Sequence, residues 1–332
     1  MTIKFWLGIL LGVVTLAGLI LSSIVMFAVV KLSMFKRKSP IYVISAANIL
    51  CDCIQLIFSL CYLVPSIVSN SWLFKGDKDN DFIQFLGAAF LFCWYYGSVA
   101  QILMAVNRVV VVCMPHIRFF SFKNVLIIVI FLFPVAILVA WISQYVTPCC
   151  KFSFDHVFLS YSYISKGDTP NYSNMYIDLP LNSSSSAICA ICYTYIIFFV
   201  WKMTHLHKVD SSGGGRRVKE YRRVSTPHFC VSHRNQNPNS RYALQFCAIS
   251  IFYLTSWVAF RVFPVLIGAS GVEYFIVIPI CVTINSSANA VVYITSNTEV
   301  HYYLERVAAV VKGARSFVRH EEYGGPKKCH FA

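Results

Sequence analysis

The stretch FWLGILLGVVTLAGLILSSIVMFAVV, residues 5–30, contains 26 consecutive residues without a charge. A helix needs roughly 20 apolar residues to cross a hydrocarbon core about 30 Å thick, and helices of soluble proteins seldom sustain such a run. In a bilayer each backbone N–H and C=O must find its partner within its own segment, so the stretch predicts a transmembrane helix. No small-residue cleavage site follows it, and we therefore do not expect a cleaved signal peptide.

The rest of the chain repeats this pattern. Of its 332 residues, 57% are hydrophobic and 13% are charged, against about 45–50% and about 25% in soluble domains. The alternating ten-residue pattern of a membrane barrel is absent. The predicted fold class is therefore an all-α membrane protein, a bundle of seven transmembrane helices that forms one domain over residues 1–332. The seven blocks cover residues 5–30, 41–69, 84–113, 123–147, 181–203, 242–268 and 272–295.

The distribution of basic residues predicts the orientation. With the N-terminus outside, 22 of the 28 lysines and arginines fall on the cytoplasmic side, and the outer side carries seven acidic against six basic residues. Short loops rich in Lys and Arg stay in the cytoplasm, so the N-terminus is predicted to be extracellular.

Two cytoplasmic segments follow from this orientation. The loop 204–241 joins a glycine-serine stretch to a basic cluster, which is typical of a flexible, lipid-facing charged segment. Within it, Ser225 follows paired arginines and is a candidate for phosphorylation by a basophilic kinase. Residues 299–318 place apolar side chains on one helical face with basic residues off it, which predicts an amphipathic helix lying on the inner leaflet.

A few polar residues stand out inside the apolar blocks. An ionisable residue within a membrane helix is costly and is a functional candidate by default, which singles out Asp52 in the second block. We predict that Asp52 and Asn289 of the seventh block form one intramembrane polar site. The Asp52 carboxylate could be ionised and balanced by sodium or by hydroxyl and amide groups, or it could be protonated and hydrogen-bonded to neighbours. Arg108 ends the third block, where a lone arginine commonly extends its charged end to the interface.

The spacing of these residues resembles that of rhodopsin-like G-protein-coupled receptors. Arg108 is followed seven residues later by Pro115, and the seventh block contains Asn289 and Tyr293 in an Asn-x-x-x-Tyr pattern. These match the Asp of the second helix, the Asp-Arg-Tyr motif with its downstream proline, and the Asn-Pro-x-x-Tyr motif. The chain departs from the pattern at two motif positions, where Asn107 replaces the acidic residue and Ala290 replaces the proline.

The string AQILMAVNR, residues 100–108, together with Pro115 resembles the nematode chemoreceptors of serpentine receptor class X. The resemblance implies a chemosensory receptor of the plasma membrane, and of the sensory cilia of neurons, that couples a small-molecule or peptide ligand to a heterotrimeric G protein. It also implies that Asn107, Arg108, Pro115, Asn289 and Tyr293 belong to a cytoplasmic switch. The chain has no cysteine near Gln84 at the start of the third block, so the loop disulfide usual in rhodopsin-like receptors is in doubt.

The aromatic residues in the outer halves of the blocks are candidates for a ligand pocket. Trp94, Tyr95, Trp257 and Tyr274 could line it, or they could belong to the interfacial aromatic belt. Arg261 could extend to the lipid headgroups, or it could point inward and present its fork of donors to a carboxylate or phosphate on the ligand.

The outer loop before the fifth block carries two further predictions. Asn171 and Asn182 each begin an Asn-x-Ser acceptor for N-glycosylation, and Asn182 is the poorer because it adjoins the membrane. The adjacent pair Cys149 and Cys150 also falls in this loop, where a disulfide is possible but its pairing cannot be read.

Other chemistries find little support in the sequence. No lysine in the seventh block could carry a retinal Schiff base, the histidines and cysteines of residues 205–233 lack ordered metal-ligand spacing, and no catalytic pair lies within the blocks. We therefore expect no enzyme, no cofactor, no metal and no nucleic-acid partner. A transporter should show repeated halves and a channel a polar pore lining, and neither alternative has its pattern here.

Overall fold

The computed structural model describes residues 3–35, 40–75, 80–114, 116–117, 119–164, 169–212, 238–267 and 271–311. Side chains are described in these ranges except at 35, 204–212, 238–249, 265, 296, 298 and 308–311.

The described chain consists mainly of long helices that pack as a bundle. Six of them are long and apolar enough to cross a membrane, and the helix Pro238–Ile267 packs between the helices Leu179–Ser212 and Val277–Ser296 to complete seven. A shorter helix, Thr298–Val311, follows the seventh. The predicted seven-helix fold is therefore confirmed. The helices are α1 Ile3–Val30, α2 Ile41–Ser69 with a π-helical turn at Ser59–Leu63, α3 Asp81–Cys113, α4 Phe122–Trp141, α5 Leu179–Ser212, α6 Pro238–Ile267, α7 Val277–Ser296 and α8 Thr298–Val311.

The helix ends follow local sequence signals. Asn80 accepts hydrogen bonds from the backbone N–H groups of Phe82 and Ile83, so α3 begins at Asp81, earlier than the predicted residue 84. Asn70 adopts a left-handed conformation with φ 48°, which ends α2 at the predicted position. Part of the predicted loop 204–241 is helical, because α5 continues to Ser212 and α6 begins at Pro238.

The helices differ in the fraction of their residues that is buried inside the bundle. Among the spans, α2, α3 and α7 bury more than half of their residues, whereas α1, α4 and α5 bury a third or fewer. The exposed side chains are apolar; Phe131 on α4 and Ile191 on α5 are each 69% exposed. Such surfaces suit lipid, so the polar residues of the molecule gather on the three interior helices and where α5 and α6 face them.

A β-hairpin that the sequence analysis did not predict lies between α4 and α5. Strands β1 Lys151–Asp155 and β2 Ser160–Ile164 pair antiparallel, with Lys151 opposite Ile164 and Asp155 opposite Ser160. The Lys4 ammonium near the start of α1 donates to the Val157 carbonyl at the hairpin tip, so the start of α1 and the hairpin lie on one side of the bundle.

Candidate functional site

Asp52 lies at the centre of a polar cluster between α2 and α7. Its side chain is buried, and Oδ2 accepts hydrogen bonds from Asn289 Nδ2 at 2.8 Å and from Asn48 Nδ2 at 3.3 Å. The structure thus brings together Asp52 and Asn289, which were predicted from the sequence as one intramembrane polar site. Both partners are neutral amides, so they stabilise the carboxyl group without supplying a countercharge.

A cavity of about 10 Å³ adjoins Asp52, which is the space of a single water molecule. Three polar atoms of lining residues lack a hydrogen-bond partner among the described residues: Asn48 Oδ1, Gln55 Nε2 and Asn285 Oδ1. The oxygen atoms around the cavity belong to one carboxyl group and to side-chain amides, which suits either a water molecule or a small monovalent cation. Which of the two binds depends on whether Asp52 is protonated or ionised. In the described part of the chain, no three His, Cys, Asp or Glu side chains group as a metal site.

The predicted cytoplasmic switch residues lie further along the same helices. The Tyr293 hydroxyl of α7 hydrogen-bonds the Ser45 hydroxyl of α2, and Ser45 in turn lies 3.9 Å from the sulfur of Met104 on α3. The Arg108 guanidinium lies close enough to the Tyr293 hydroxyl for the two groups to interact electrostatically. Asn107 is buried beside it on α3. Thus α2, α3 and α7 meet at these residues, while Pro115 lies outside the described residues.

Helix α7 runs without a break through Ala290, where rhodopsin-like receptors carry a proline. Ala290 is fully buried and supplies the backbone N–H that a proline would lack. The departure noted in the sequence therefore corresponds to a regular helix at this position.

The amphipathic helix is anchored by residues that sequence reasoning missed. Asn297 Oδ1 accepts hydrogen bonds from the backbone N–H groups of Glu299 and Val300 and so caps α8. The Tyr42 hydroxyl at the start of α2 donates to Glu299 Oε2 at 2.9 Å. The signal was present in the sequence Asn297-Thr298-Glu299, where α8 begins. The described helix ends at Val311, and the rest of the predicted segment 299–318 lies outside the described residues.

A second polar cluster occupies the outer half of the bundle. Arg261 Nη2 of α6 contacts Asp178 Oδ2 at 2.7 Å, with the two side chains 19% and 5% exposed. Asn182 Nδ2 donates to Asp178 Oδ1 at 2.8 Å. The amide oxygen of Asn182 accepts from Ser98 of α3 at 2.8 Å and from the Tyr253 hydroxyl of α6. This outer polar cluster, Arg261–Asp178–Asn182–Ser98–Tyr253, therefore joins α3, α5 and α6.

Asp178 lies before the predicted fifth block and is one of the seven acidic residues counted on the outer side, so its pairing with Arg261 inside the bundle was not anticipated from the sequence. Arg261 points inward, which was one of its two predicted orientations. The carboxylate that it contacts belongs to the protein itself.

The hairpin fills the outer end of the bundle. Phe152, Phe154 and Tyr161 are buried, and their ring centroids lie 5.4, 5.6 and 4.5 Å from that of Phe90 on α3. The Tyr161 hydroxyl also lies 2.8 Å from Ser59 Oγ of α2. Tyr163 projects beside the outer polar cluster, and burial together with the nearby Asp178 charge raises the pKa of its hydroxyl well above the ordinary value. Tyr163 therefore stays protonated there.

Hydrogen bonds fix the hairpin where rhodopsin-like receptors use a loop disulfide. Gln144 accepts from the Phe152 N–H at 3.0 Å and donates to the Phe152 carbonyl at 3.0 Å and to the Gln84 carbonyl at 3.1 Å. Gly87 permits this close approach, because a Cβ there would overlap the Phe152 carbonyl oxygen. Cys149 and Cys150 are bonded to each other.

The four aromatic residues predicted to line a ligand pocket lie in different surroundings. The Trp94 ring stacks on Tyr253 at 5.7 Å, the Tyr95 hydroxyl lies 3.1 Å from Ser143 Oγ, and Trp257 lies 6.0 Å beneath the Arg261 guanidinium. Tyr274 is 65% exposed at the start of the seventh span, which favours the second of its two predicted roles, a residue of the interfacial aromatic belt.

The two glycosylation acceptors also differ. Asn182 is fully buried and its amide nitrogen is bonded to Asp178, so this fold does not offer it for modification. Asn171 is partly exposed, and its Oδ1 accepts from the Asn174 N–H in a helix cap. Asn171 thus stays the predicted site. Ser225 lies outside the described residues.

Comparison with solved structures identifies the fold. Squid rhodopsin superposes with a TM-score of 0.70 at 16% sequence identity, over 93% of this chain and 86% of that chain. The chain therefore has the seven-transmembrane fold of rhodopsin.

The family model described as the serpentine type 7TM GPCR chemoreceptor Srx matches residues 13–297. The protein belongs to this family of G-protein-coupled chemoreceptors. A comparison with curated protein sequences gave no significant match.

Proposed function

We propose that this receptor resides in the plasma membrane of sensory cilia, binds an external small molecule or peptide, and activates a heterotrimeric G protein through Arg108. The observation that carries the proposal is a nearly continuous polar path through the bundle. The outer polar cluster ends at Tyr253, which together with Trp94 lines the cavity beside Asp52. From there the path continues through Asn289 towards the Ser45–Tyr293 pair.

Ligand binding acts on this path by population shift. A ligand in the outer half, in contact with Trp94, Tyr95, Trp257 or Arg261, changes the relative free energies of the arrangements of α3, α5 and α6. Rearrangement of these helices changes the hydrogen bonds that reach Asp52 and, through α7, Tyr293. The two ends are then coupled because both bias the same set of helices.

At the inner end of the path, the residue next to Arg108 is neutral. Asn107 offers a hydrogen-bonding side chain but no countercharge, whereas an acidic residue at this position would hold the neighbouring arginine electrostatically. We therefore expect measurable basal activity, with the Arg108 guanidinium as the donor group that a G-protein helix meets.

A cell-based screen tests the function. Cells expressing the receptor with a promiscuous G protein should respond to a compound in the screen, and the same cells without the receptor should not. A ligand-dependent current that persists when G-protein signalling is blocked would instead favour a channel. No comparison supports the channel or transporter alternatives.

A further inference from the structure

Among the residues that the structure describes, two buried side-chain atoms beside the outer polar cluster that can only donate hydrogen bonds have no acceptor. They are Arg261 Nε and Trp257 Nε1, which lie one helical turn apart on α6 with the guanidinium carbon 6.0 Å from the indole ring. An indole N–H and a guanidinium N–H can only donate. Buried donors normally have partners, so a pair of unpartnered donors at one place indicates that an acceptor from outside the chain completes the site.

The charges beside these donors are already balanced. Asp178 accepts from Arg261 Nη2 at 2.7 Å and from Asn182 Nδ2 at 2.8 Å, so the guanidinium has a carboxylate partner and the pair is electrically neutral. A carboxylate ligand would have to displace Asp178 and leave it buried without a countercharge. An amine ligand would bring a second cation close to Arg261. Both arrangements are strongly unfavourable in a buried environment.

Aromatic side chains lie around the outer polar cluster. Tyr95 and Tyr163 lie close enough to Asp178 and Arg261 to interact electrostatically with both, and the Phe260 ring centroid lies 6.2 Å from that of Tyr163. These rings offer apolar surface and two hydroxyl groups, of which that of Tyr95 already lies 3.1 Å from Ser143 Oγ. They suit a small molecule with an apolar body and one strong acceptor.

From these three observations we infer that the ligand of this receptor is a small neutral molecule whose carbonyl oxygen accepts hydrogen bonds from Arg261 Nε and Trp257 Nε1. The inference rests on the proposed function for the location of the site, and it adds the chemical class of the ligand. Ketones, aldehydes and esters have the required acceptor without a charge. The sequence alone had suggested an acidic ligand for Arg261, and Asp178 removes the reason for that expectation.

Direct binding to the full-length receptor in lipid nanodiscs tests the inference without any G protein. The probes are short carbon skeletons, each offered as the ketone, the carboxylic acid and the primary amine, and the readout is the thermal stabilisation of the receptor as a function of probe concentration. Ketones should bind more tightly than the matched acids and amines. Acids or amines that bind more tightly than ketones, or a panel in which no ketone binds, would overturn the inference.

Trp257→Phe is the mild variant, because it keeps a ring and removes only the N–H donor. It should weaken ketone binding by about tenfold or more, the value of one buried hydrogen bond. Trp141→Phe on the exposed face of α4 is the matched control and should leave ketone binding unchanged. Equal ketone affinity in the Trp257→Phe protein and the parent would contradict the assigned donor.

Asp178→Asn is the harsher variant and predicts a change of specificity. With its countercharge gone, Arg261 should favour the carboxylic acid over the matched ketone, while Trp257→Phe keeps the inference testable if Asp178→Asn does not fold. A folded Asp178→Asn protein that still prefers ketones would contradict the charge argument. A receptor that binds ketones but never promotes nucleotide exchange would instead refute the proposed function and leave the ligand class intact.

Discussion

Gly87→Ala should loosen the hairpin from α3. The added Cβ would overlap the Phe152 carbonyl oxygen and lie 3.1 Å from its carbonyl carbon and 3.3 Å from Gln144 Nε2. These atoms belong to the backbone of β1 and to the side chain that holds it, so β1 must move away. The three hydrogen bonds of Gln144 to Phe152 and Gln84 are then strained or lost.

The size of the effect follows from these contacts. The three hydrogen bonds stabilise the docked hairpin by about 1 kcal/mol each. Replacing a helical glycine by alanine stabilises the helix by about 0.5–1 kcal/mol, which offsets part of their loss. The net loss is about 2 kcal/mol for the docked hairpin. Local opening would then be about thirtyfold more frequent.

Hydrogen exchange of the hairpin amides measures this opening in the purified receptor. Gly97→Ala is the matched control on the same helix, since its Cβ would lie 3.5 Å from Asn48 Oδ1, an ordinary contact. Exchange of the Phe152 and Phe154 amides should accelerate in Gly87→Ala and stay at the parent rate in Gly97→Ala. Equal protection in both variants would refute the argument that Gly87 and Gln144 hold the hairpin.

Three further predictions concern the outer polar cluster, the glycan and the cytoplasmic loop. Asp178→Asn should destabilise the receptor by about 3–5 kcal/mol because it leaves the Arg261 charge buried without a partner. In thermal unfolding, the double variant Asp178→Asn with Arg261→Gln should lose less stability than the sum of the two single variants. Strict additivity of the stability losses would argue against the ion pair. Asn171→Gln should remove the glycosidase-sensitive mass, whereas Asn182→Gln should keep that mass and lower thermal stability; persistence of the glycan in Asn171→Gln would move the site elsewhere. Ser225→Ala should slow desensitisation, because a phosphate adds about −1.5 to −2 charges to a basic loop; unchanged kinetics in a signalling assay would remove the phosphorylation hypothesis.

The seven helices could be predicted from the sequence because the bilayer imposes a simple requirement on length and polarity. Residues 41–69 were predicted as the second span, and the observed span has the same bounds. The pairing of Asp52 with Asn289 could also be anticipated, since an intramembrane carboxyl group needs a polar partner and the motif resemblance supplied one.

The outer site could be predicted only in part because its geometry depends on tertiary structure. Asp178 and Arg261 are 83 positions apart, and neither residue indicates in sequence that the other is its partner. The strands of the hairpin are five residues each, too short to distinguish from a loop by their alternation alone. The sequence could not assign Tyr274 to the pocket or to the interfacial belt, because a position near the outer end of a span does not determine which face the side chain occupies.

The central claim is that Arg108 couples this bundle to a G protein, and basal nucleotide exchange tests it without a known ligand. Purified parent receptor in nanodiscs should accelerate guanine-nucleotide exchange on a heterotrimeric G protein above the rate of empty nanodiscs. Asn107→Asp should lower that rate because a carboxylate next to the guanidinium restrains it. Arg108→Ala should reach the cell surface, bind the same ketone probes as the parent, and lose most of the exchange activity. An Arg108→Ala receptor that is surface-expressed and promotes exchange as fast as the parent would contradict the account.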